Sequence, residues 1–193
     1  MQLLHKLLLS SLFITCLPWA NAETSQSGDP VKAALTLQLD EERLAYQLYT
    51  ALGEIYPNLR QFQNIPRAEA RHFQALKNYI AQNYPNVEQL ELKGDFIHPS
   101  TQALYDRLYA EGKTSAQAAL NAGVQVEVLD IKDLDAALLA TTDETLRRIY
   151  TNLRAGSEKH LAAFSGNKRG QGKGNGQGHG KRQRNQTAAP ADC

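Results

Sequence analysis

Four long stretches of this chain repeat apolar residues every three or four positions, and each carries acidic or imidazole side chains on its apolar stripe. Residues with that spacing share one face of an α-helix. In the second stretch, Glu69 and His72 fall on the same side as Ile65, Phe73 and Leu76. Burying a charge among apolar side chains is unfavourable unless something compensates it. The pattern therefore predicts a helical protein whose interior holds polar groups that need a partner.

Capping and turn residues predict the limits of the first two long helices. Asp29 suits the N-cap and Pro30 the first position of a helix that ends near Glu54. After a Tyr-Pro-Asn turn, a second helix covers roughly residues 59–83, with Pro66 in its early part or at its start. Neither stretch alternates apolar and polar residues, so neither predicts a strand.

Two capping boxes are predicted to open the third and fourth long helices. Thr114 and Gln117 form the first box, and Thr141 and Glu144 form the second. The two helices are predicted to end near Leu139 and near Phe164, with Gly166 as the stop of the last one.

Between the second and third long helices lies a connection rich in turn signals, residues 84–113, with a shorter helix that ends at Gly112. Two helical pairs joined by one long crossover form a recognised kind of four-helix bundle, which ferritin-like folds use. The predicted fold is therefore all-α: a ferritin-like four-helix bundle whose long crossover carries a short helix between helices 2 and 3.

The first 22 residues have the layout of a secretory signal peptide. A short, weakly basic start precedes an apolar run, and small residues precede a cut after Ala22. The apolar run is too short and wrongly flanked for a membrane-spanning helix, which is the alternative interpretation. We therefore expect a periplasmic or secreted protein.

Composition divides the rest of the chain into a polar leader (residues 23–30), a helical domain (31–164) and a tail (165–193). Residues 23–164 carry 14 basic and 19 acidic side chains, whereas six Lys or Arg and only one acid follow Phe164. The tail is rich in glycine and lacks aromatic residues, so it is predicted to be disordered. It could contact anionic surfaces, but nothing in it predicts specific nucleic-acid binding.

The cysteines limit the chemistry of any redox centre. If Cys16 leaves with the signal peptide, Cys193 remains alone and no internal disulfide can form. One thiolate also cannot build a rubredoxin-like or iron–sulfur site. A redox centre in this chain must use oxygen and nitrogen ligands.

Each long helix carries at least one metal-capable side chain on its apolar face. Glu41 competes with Glu42 in the first helix, because leucines surround it on the neighbouring stripe. The candidate ligands are four carboxylates and two imidazoles: Glu42, Glu69, His72, Glu127, Asp130 and His160. Di-iron and di-manganese carboxylate sites in four-helix bundles use such a set, because carboxylates bridge two cations and offset their charge. The pattern favours a di-metal site with two iron ions, with manganese, zinc or copper as alternatives.

Several segments together resemble a family of ferritin-like domains of unknown function found in bacteria and archaea. They are DEERLAYQLY, FQNIPRAEARHF, GDFIHPSTQALYDRLYAEG, VEVLDIKDL and NLRAGSEKHLAAF, within about residues 33–164. The resemblance implies a ferritin-like bundle with a di-metal centre. The spacing from Glu42 to Tyr49 also resembles that of ferritins and rubrerythrins, which favours Glu42 over Glu41.

One position departs from the pattern of rubrerythrin-like proteins. Their fourth helix carries Glu three residues before its His, whereas this chain has Ser157 there. Glu158 lies about 100° away around the helix and should point elsewhere. Asp130, one turn after Glu127, could supply the missing carboxylate from the third helix.

Other side chains have both a functional and a structural interpretation. Tyr46 and Tyr49 could be redox-active or bond a ligand, but core aromatics with a polar tip need no such role. Arg71 and Arg154 could support the ligands or form ordinary surface ion pairs. These alternatives stay open from the sequence.

The sequence therefore suggests three functions. The first is a ferroxidase- or peroxidase-like oxidoreductase that uses bound iron with dioxygen or peroxide; its electrons would come from an external donor or from ferrous ions. The second is a non-enzymatic protein that binds or sequesters metal in the cell envelope. The third is a helical interaction module without metal.

Overall fold

The computed structural model of the chain describes residues 29–85 and 91–166, which fold into six α-helices and no strand. No helix in these ranges is both long and apolar enough to cross a membrane. The predicted signal peptide and the tail beyond Gly166 lie outside the described residues. The helices are α1 (Pro30–Ile55), α2 (Arg60–Asn64), α3 (Pro66–Asn83), α4 (Pro99–Gly112), α5 (Ala116–Ala140) and α6 (Glu144–Phe164).

The predicted start of α1 is confirmed, but the second predicted helix is divided. The Asp29 carboxylate accepts a 2.9 Å hydrogen bond from the backbone N–H of Val31 and caps α1. The chain then forms the short α2 and begins α3 at Pro66. Proline has no N–H to donate to the preceding turn and its ring clashes there, so it suits the first position of a new helix.

Both predicted capping boxes are wrong by one or two residues. Ser115 caps α5 and Asp143 caps α6, each accepting from the backbone N–H three residues later, at 3.1 and 2.7 Å. Thr114 instead donates to the carbonyl of Glu111 in the last turn of α4. Thr141 ends α5, and its hydroxyl accepts from the N–H of Asp143.

Four helices form a bundle in which α1 packs against α3 and α5, and α6 packs against the same two helices. Gln38 and Asp133 line one pocket, whereas Tyr49 bonds Glu127, so α1 and α5 are antiparallel. The start of α1 (Leu35, Leu39) packs in one cluster with the later part of α3 (Leu76, Ile80), and Glu42 reaches the earlier His72, so α1 is also antiparallel to α3. The pairs Glu69–His160 and His72–Gly156 make α6 antiparallel to α3, and the pairs Asp130–Ser157 and Asp135–Arg154 make it antiparallel to α5. Since α3 and α5 then run the same way, the chain must return along the bundle, and α4 lies on this crossover against α1 and α5. An all-helical bundle with a short helix, α4, between the second and third long helices fits the prediction.

A buried ion pair fixes this crossover to α1. Arg43 is 1% exposed, donates to Asp40 at 3.1 Å and lies 5.6 Å from the ring centre of Phe96. The other oxygen of Asp40 accepts the backbone N–H of His98 at 2.7 Å. Because both partners are buried, loss of either one leaves an uncompensated charge.

The interior consists of two apolar clusters separated by a polar layer. One cluster lies at the end of the bundle near α2 and includes Leu48, Tyr49, Phe62 and Phe164. The other includes Leu39, Leu76, Leu134 and Leu153. Between them, all four long helices place polar side chains at the same level: Glu42 on α1, Glu69 and His72 on α3, Glu127 and Asp130 on α5, and Ser157 and His160 on α6.

Candidate metal centre

The polar layer contains all six side chains that the sequence singled out as candidate ligands. The carboxylates are almost fully buried, with Glu42, Glu69 and Glu127 each 2% exposed. The imidazole side chains of His72 and His160 are 16% and 11% exposed and form the wall nearest to solvent. The two rings are stacked, with centres 5.7 Å apart.

Five of these side chains form two groups that share one carboxylate. Glu42, Glu69 and His72 make the first group, and Glu69, Glu127 and His160 make the second. Within each group, one potential ligand atom from every residue lies within 4.8 Å of the others. Four separate helices therefore deliver nitrogen and oxygen atoms to two adjacent points.

Glu69 connects the two groups through its two oxygen atoms. Its Oε2 lies 3.0 Å from Nδ1 of His72, and its Oε1 lies 2.8 Å from Nδ1 of His160. The outer carboxylates complete the arrangement: Glu42 Oε2 is 3.3 Å from the same nitrogen of His72, and Glu127 Oε1 is 3.7 Å from that of His160. A carboxylate that faces a different imidazole with each oxygen has the arrangement of a bridging ligand.

Several buried atoms of this layer lack a hydrogen bond. Nδ1 of both histidines and Oε1 of both Glu42 and Glu69 make no hydrogen bond of acceptable geometry among the described residues, although carboxylate oxygens lie as close as 3.0 Å to His72 Nδ1 and 2.8 Å to His160 Nδ1. A buried polar atom without a partner is unfavourable, and native proteins contain few of them. The carboxylate oxygens and imidazole nitrogens therefore fit divalent cations, because both kinds of atom coordinate such ions.

Tyr49 supports Glu127 from within the apolar cluster. Its hydroxyl donates a 2.7 Å hydrogen bond to Glu127 Oε1, and the side chain is fully buried. Its ring packs against both Phe62 and Phe164, with centres 5.9 and 4.9 Å away. Tyr49 is thus both a core aromatic and a hydrogen-bond donor to a candidate ligand. Tyr46, in contrast, is half-buried and lines a surface pocket.

Asp130 lies in the polar layer but outside both groups. Its Oδ2 accepts a hydrogen bond from the hydroxyl of Ser157, which also donates to the backbone carbonyl of Leu153. Its Oδ1 is buried without a hydrogen-bond partner among the described residues. Ser157, the departure noted in the sequence, therefore holds the carboxylate that was expected to replace the missing Glu.

The choice between Glu41 and Glu42 follows from the helices that cover α1. Glu42 points to α3 and reaches His72, whereas Glu41 is in neither group. Glu41 is nevertheless buried, accepts a hydrogen bond from Gln38 and shares a small cavity with Asp130. Burial, then the charge of Asp130, raises its pKa to about 10.

Gly156 has no side chain and so leaves space for the ring of His72, a role that sequence reasoning missed. A Cβ atom at this position would lie 2.6 Å from Cε1 and 2.8 Å from Nε2 of His72. A helical glycine is an intrinsic disadvantage, so its presence in the middle of α6 was the only sequence signal.

Crowding of carboxylates in a dry interior shifts their pKa values strongly. Burial, and then the charge of Asp130, raises the pKa of Glu42 well above its usual range. Burial and then Glu69 raise that of Glu127 to about 8, and burial raises that of Asp130 to about 7. Burial would also raise the pKa of Glu69, but the two imidazoles outweigh it and lower the value to about 2. Such perturbed groups concentrate at functional sites.

The arginines near the ligands in sequence do not reach the layer. Arg154 donates to Asp135 at 2.6 Å and to Glu158 at 2.9 Å, which are partly exposed pairs of the surface. Arg71 is exposed. Both therefore fit the structural interpretation, in which such pairs contribute little.

Residues 32–178 match the family described as uncharacterized protein domain (DUF2202), which covers most of the chain. The chain belongs to the DUF2202 family. A relative, uncharacterized protein MJ0754 of Methanocaldococcus jannaschii, is 34% identical over 135 residues, which are 69% of this chain and 72% of the relative. The crystal structure of hypothetical protein MJ0754 superposes with a TM-score of 0.64 at 32% identity, over 69% of this chain and 76% of the other.

These similarities confirm the predicted membership of a domain family of unknown function with an archaeal member. They also agree with the all-helical fold. The described DUF2202 residues include both groups of candidate ligands, which lie between Glu42 and His160.

Proposed function

We propose that this DUF2202 protein binds two divalent cations, most favourably iron, in the polar layer of its helical bundle. The observation that carries the proposal is the pair of ligand groups that share Glu69. One cation would be held by Glu42, Glu69 and His72, and the other by Glu69, Glu127 and His160. Asp130 lies close enough to add negative charge, which two divalent cations would offset.

The relationship to ferritins and rubrerythrins is part of this proposal. Support comes from the directions of the four long helices, which are joined by one long crossover, and from ligands on all four of them. The ligand set departs from that of rubrerythrins at Ser157, whose hydroxyl is engaged with Asp130. Export to the periplasm or outside the cell, with a basic tail that contacts anionic surfaces, completes the proposal.

Bound iron would supply one-electron redox chemistry with dioxygen or peroxide, which makes the protein ferroxidase- or peroxidase-like. The chain's own residues would bind the cations and hold the ligands in position. Glu69 and the two imidazoles would hold the cations, and Tyr49 holds Glu127 in place with its hydroxyl. The edges of His72 and His160 are the most exposed part of the layer, so a small oxidant would approach between α3 and α6.

Reconstitution of the metal-free, full-length protein with Fe(II) under anaerobic conditions tests the proposal. We expect two Fe(II) per chain by elemental analysis, followed by oxidation faster than in buffer once oxygen or peroxide is added. Glu69→Gln should lose most of the bound iron, whereas Glu54→Gln, a change of an exposed acid on α1, should keep it. Unaltered iron content in Glu69→Gln would rule out the bridging arrangement.

A second candidate is non-enzymatic binding or sequestration of zinc, manganese or copper. It is favoured by Ser157, because the engaged hydroxyl leaves α6 with only the imidazole of His160 as a ligand. Elemental analysis of protein taken from its native compartment separates the two. Full occupancy by a redox-inert metal would favour sequestration over oxidation.

A further inference from the structure

A line of oxygen-bearing side chains lies between α1 and α5, from the surface to Asp130 beside the metal centre. It begins at a surface pocket of about 170 Å³, where Gln38 and Asp133 are the polar lining residues. Small and aliphatic side chains form the other walls: Ala34, Leu37, Ala136, Ala137 and Ala140.

Gln38 forms the floor of this pocket and points to the next carboxylate. It is 1% exposed, and its Nε2 donates a hydrogen bond to Glu41 Oε2. Its Oε1 is buried and has no hydrogen-bond partner among the described residues. An amide oxygen beside a carboxylate is a pair of ligands that hard divalent cations accept.

Below Gln38, Glu41 and Asp130 share an enclosed cavity of about 10 Å³, which is about the space that one water molecule needs. Its other walls are apolar: Leu44, Leu104, Val126 and Leu129. Ser157 holds one oxygen of Asp130 and leaves Oδ1 without a hydrogen bond in the described chain. Asp130 lies one helical turn after Glu127, so it adjoins the second ligand group.

We propose that divalent cations reach the metal centre between α1 and α5, passing Asp133, Glu41 and Asp130 in that order. The inference rests on the proposed function, because it describes how that site is filled. A cation can cross a dry interior only where protein oxygens replace its water ligands, and this line supplies them in sequence. Lys132 pairs with Asp133 at 3.2 Å, but it is 74% exposed and screened by solvent.

This uptake path assigns a role to Glu41, which is buried and belongs to neither ligand group. It also separates the entry of the cations from the approach of the oxidant. Cations arrive through carboxylates on the α1–α5 side, whereas the imidazoles face the α3–α6 side.

Stopped-flow mixing of metal-free, full-length protein with Co(II) chloride tests the path, with the visible absorption of bound Co(II) as the readout. We expect Glu41→Gln and Asp133→Asn to slow uptake at least about tenfold, each tenfold step being about 1.4 kcal/mol of barrier. Both should still bind two Co(II) at equilibrium. Asp133 is partly exposed, so its variant avoids doubts about folding that attach to the buried Glu41.

Asp133→Glu, which keeps the carboxylate, should load at close to the wild-type rate, and so should the control Glu54→Gln, which makes the same substitution at an exposed position of α1 outside the path. Equal rates in wild type, Glu41→Gln and Asp133→Asn would overturn the path and leave the metal centre intact. A final content of one Co(II) in Glu41→Gln would also overturn it, since Glu41 would then be a ligand. A wild-type protein that binds no Co(II) would overturn the proposed function itself.

Discussion

The imidazole of His72 lies so close to Gly156 that a Cβ atom on the glycine would come 2.6 Å from Cε1 of the ring. Gly156→Ala should therefore push His72 out of the first ligand group. By helix propensity alone the change would stabilise the protein by about 1 kcal/mol, whereas overpacking costs about 1–3 kcal/mol. We expect a net loss of stability in urea denaturation and fewer than two bound cations by elemental analysis.

A double-mutant cycle isolates the contact behind this prediction. In a His72→Ala background the ring is gone, so Gly156→Ala should now stabilise the metal-free protein rather than destabilise it. The same sign of effect in both backgrounds would show that Gly156 does not act through His72.

Tyr49→Phe removes one hydroxyl and keeps the aromatic packing with Phe62 and Phe164. The Glu127 carboxylate loses its 2.7 Å donor, and removing such a buried bond costs about 1–3 kcal/mol. Loss of the outer hydrogen bond of a ligand also weakens metal affinity, by about 10- to 100-fold. Urea denaturation and Co(II) titration measure the two effects. Tyr46→Phe, on the half-buried side of α1, should change neither; equal effects of both variants would argue against a specific role of the Tyr49 hydroxyl.

Asp40→Ala should destabilise the protein without altering its cation content. The change leaves Arg43 buried and without its 3.1 Å partner, for which about 3–5 kcal/mol is expected. Replacing both residues with leucine should recover the part of that loss that comes from the buried charge, whereas the N–H of His98 lacks its acceptor in both variants. Urea midpoints of the single and double variants measure this, with elemental analysis as the control. A double variant as unstable as Asp40→Ala would show that the charge is not the cause.

Helical periodicity was enough to find the polar layer because it depends only on which face of each helix is apolar. The six candidate ligands lie at one level since the four helices pack in register around two apolar clusters. The same argument could not choose between Glu41 and Glu42. The reason is that α4 covers the side of α1 away from α3, so α1 is buried continuously from Gln38 to Ala45.

Features that depend on contacts between helices were beyond the sequence. The fit of Gly156 against His72, and the bond from Ser157 to Asp130, require the register of α6 against α3 and α5. The capping residues were misassigned because better placed competitors, Ser115 and Asp143, lie one residue after Thr114 and two residues after Thr141. Local preference alone does not decide between neighbouring candidates of similar capping strength.

The metal-free protein should lose stability as the pH rises from about 5 to about 8. The folded pKa of Glu127 is raised from 4.5 to about 8 and that of Asp130 from 3.8 to about 7, so folded protein binds more protons than unfolded protein in this range. Each tenfold change in proton affinity corresponds to about 1.4 kcal/mol. Burial would lower the pKa of His160, but Glu127 and Glu69 raise it to about 10, which acts in the same direction above pH 6.5.

The lowered pKa of Glu69 acts oppositely, but its contribution is complete above pH 4.5 and is lost only in stronger acid. Urea midpoints of chelator-treated protein at pH 5 and pH 8 measure the net effect, and Glu127→Gln should flatten it. Excess Co(II) should reverse the trend, because cations bind deprotonated ligands and stabilise the folded state. A metal-free protein more stable at pH 8 than at pH 5 would mean that these carboxylates are not crowded together in the dry interior.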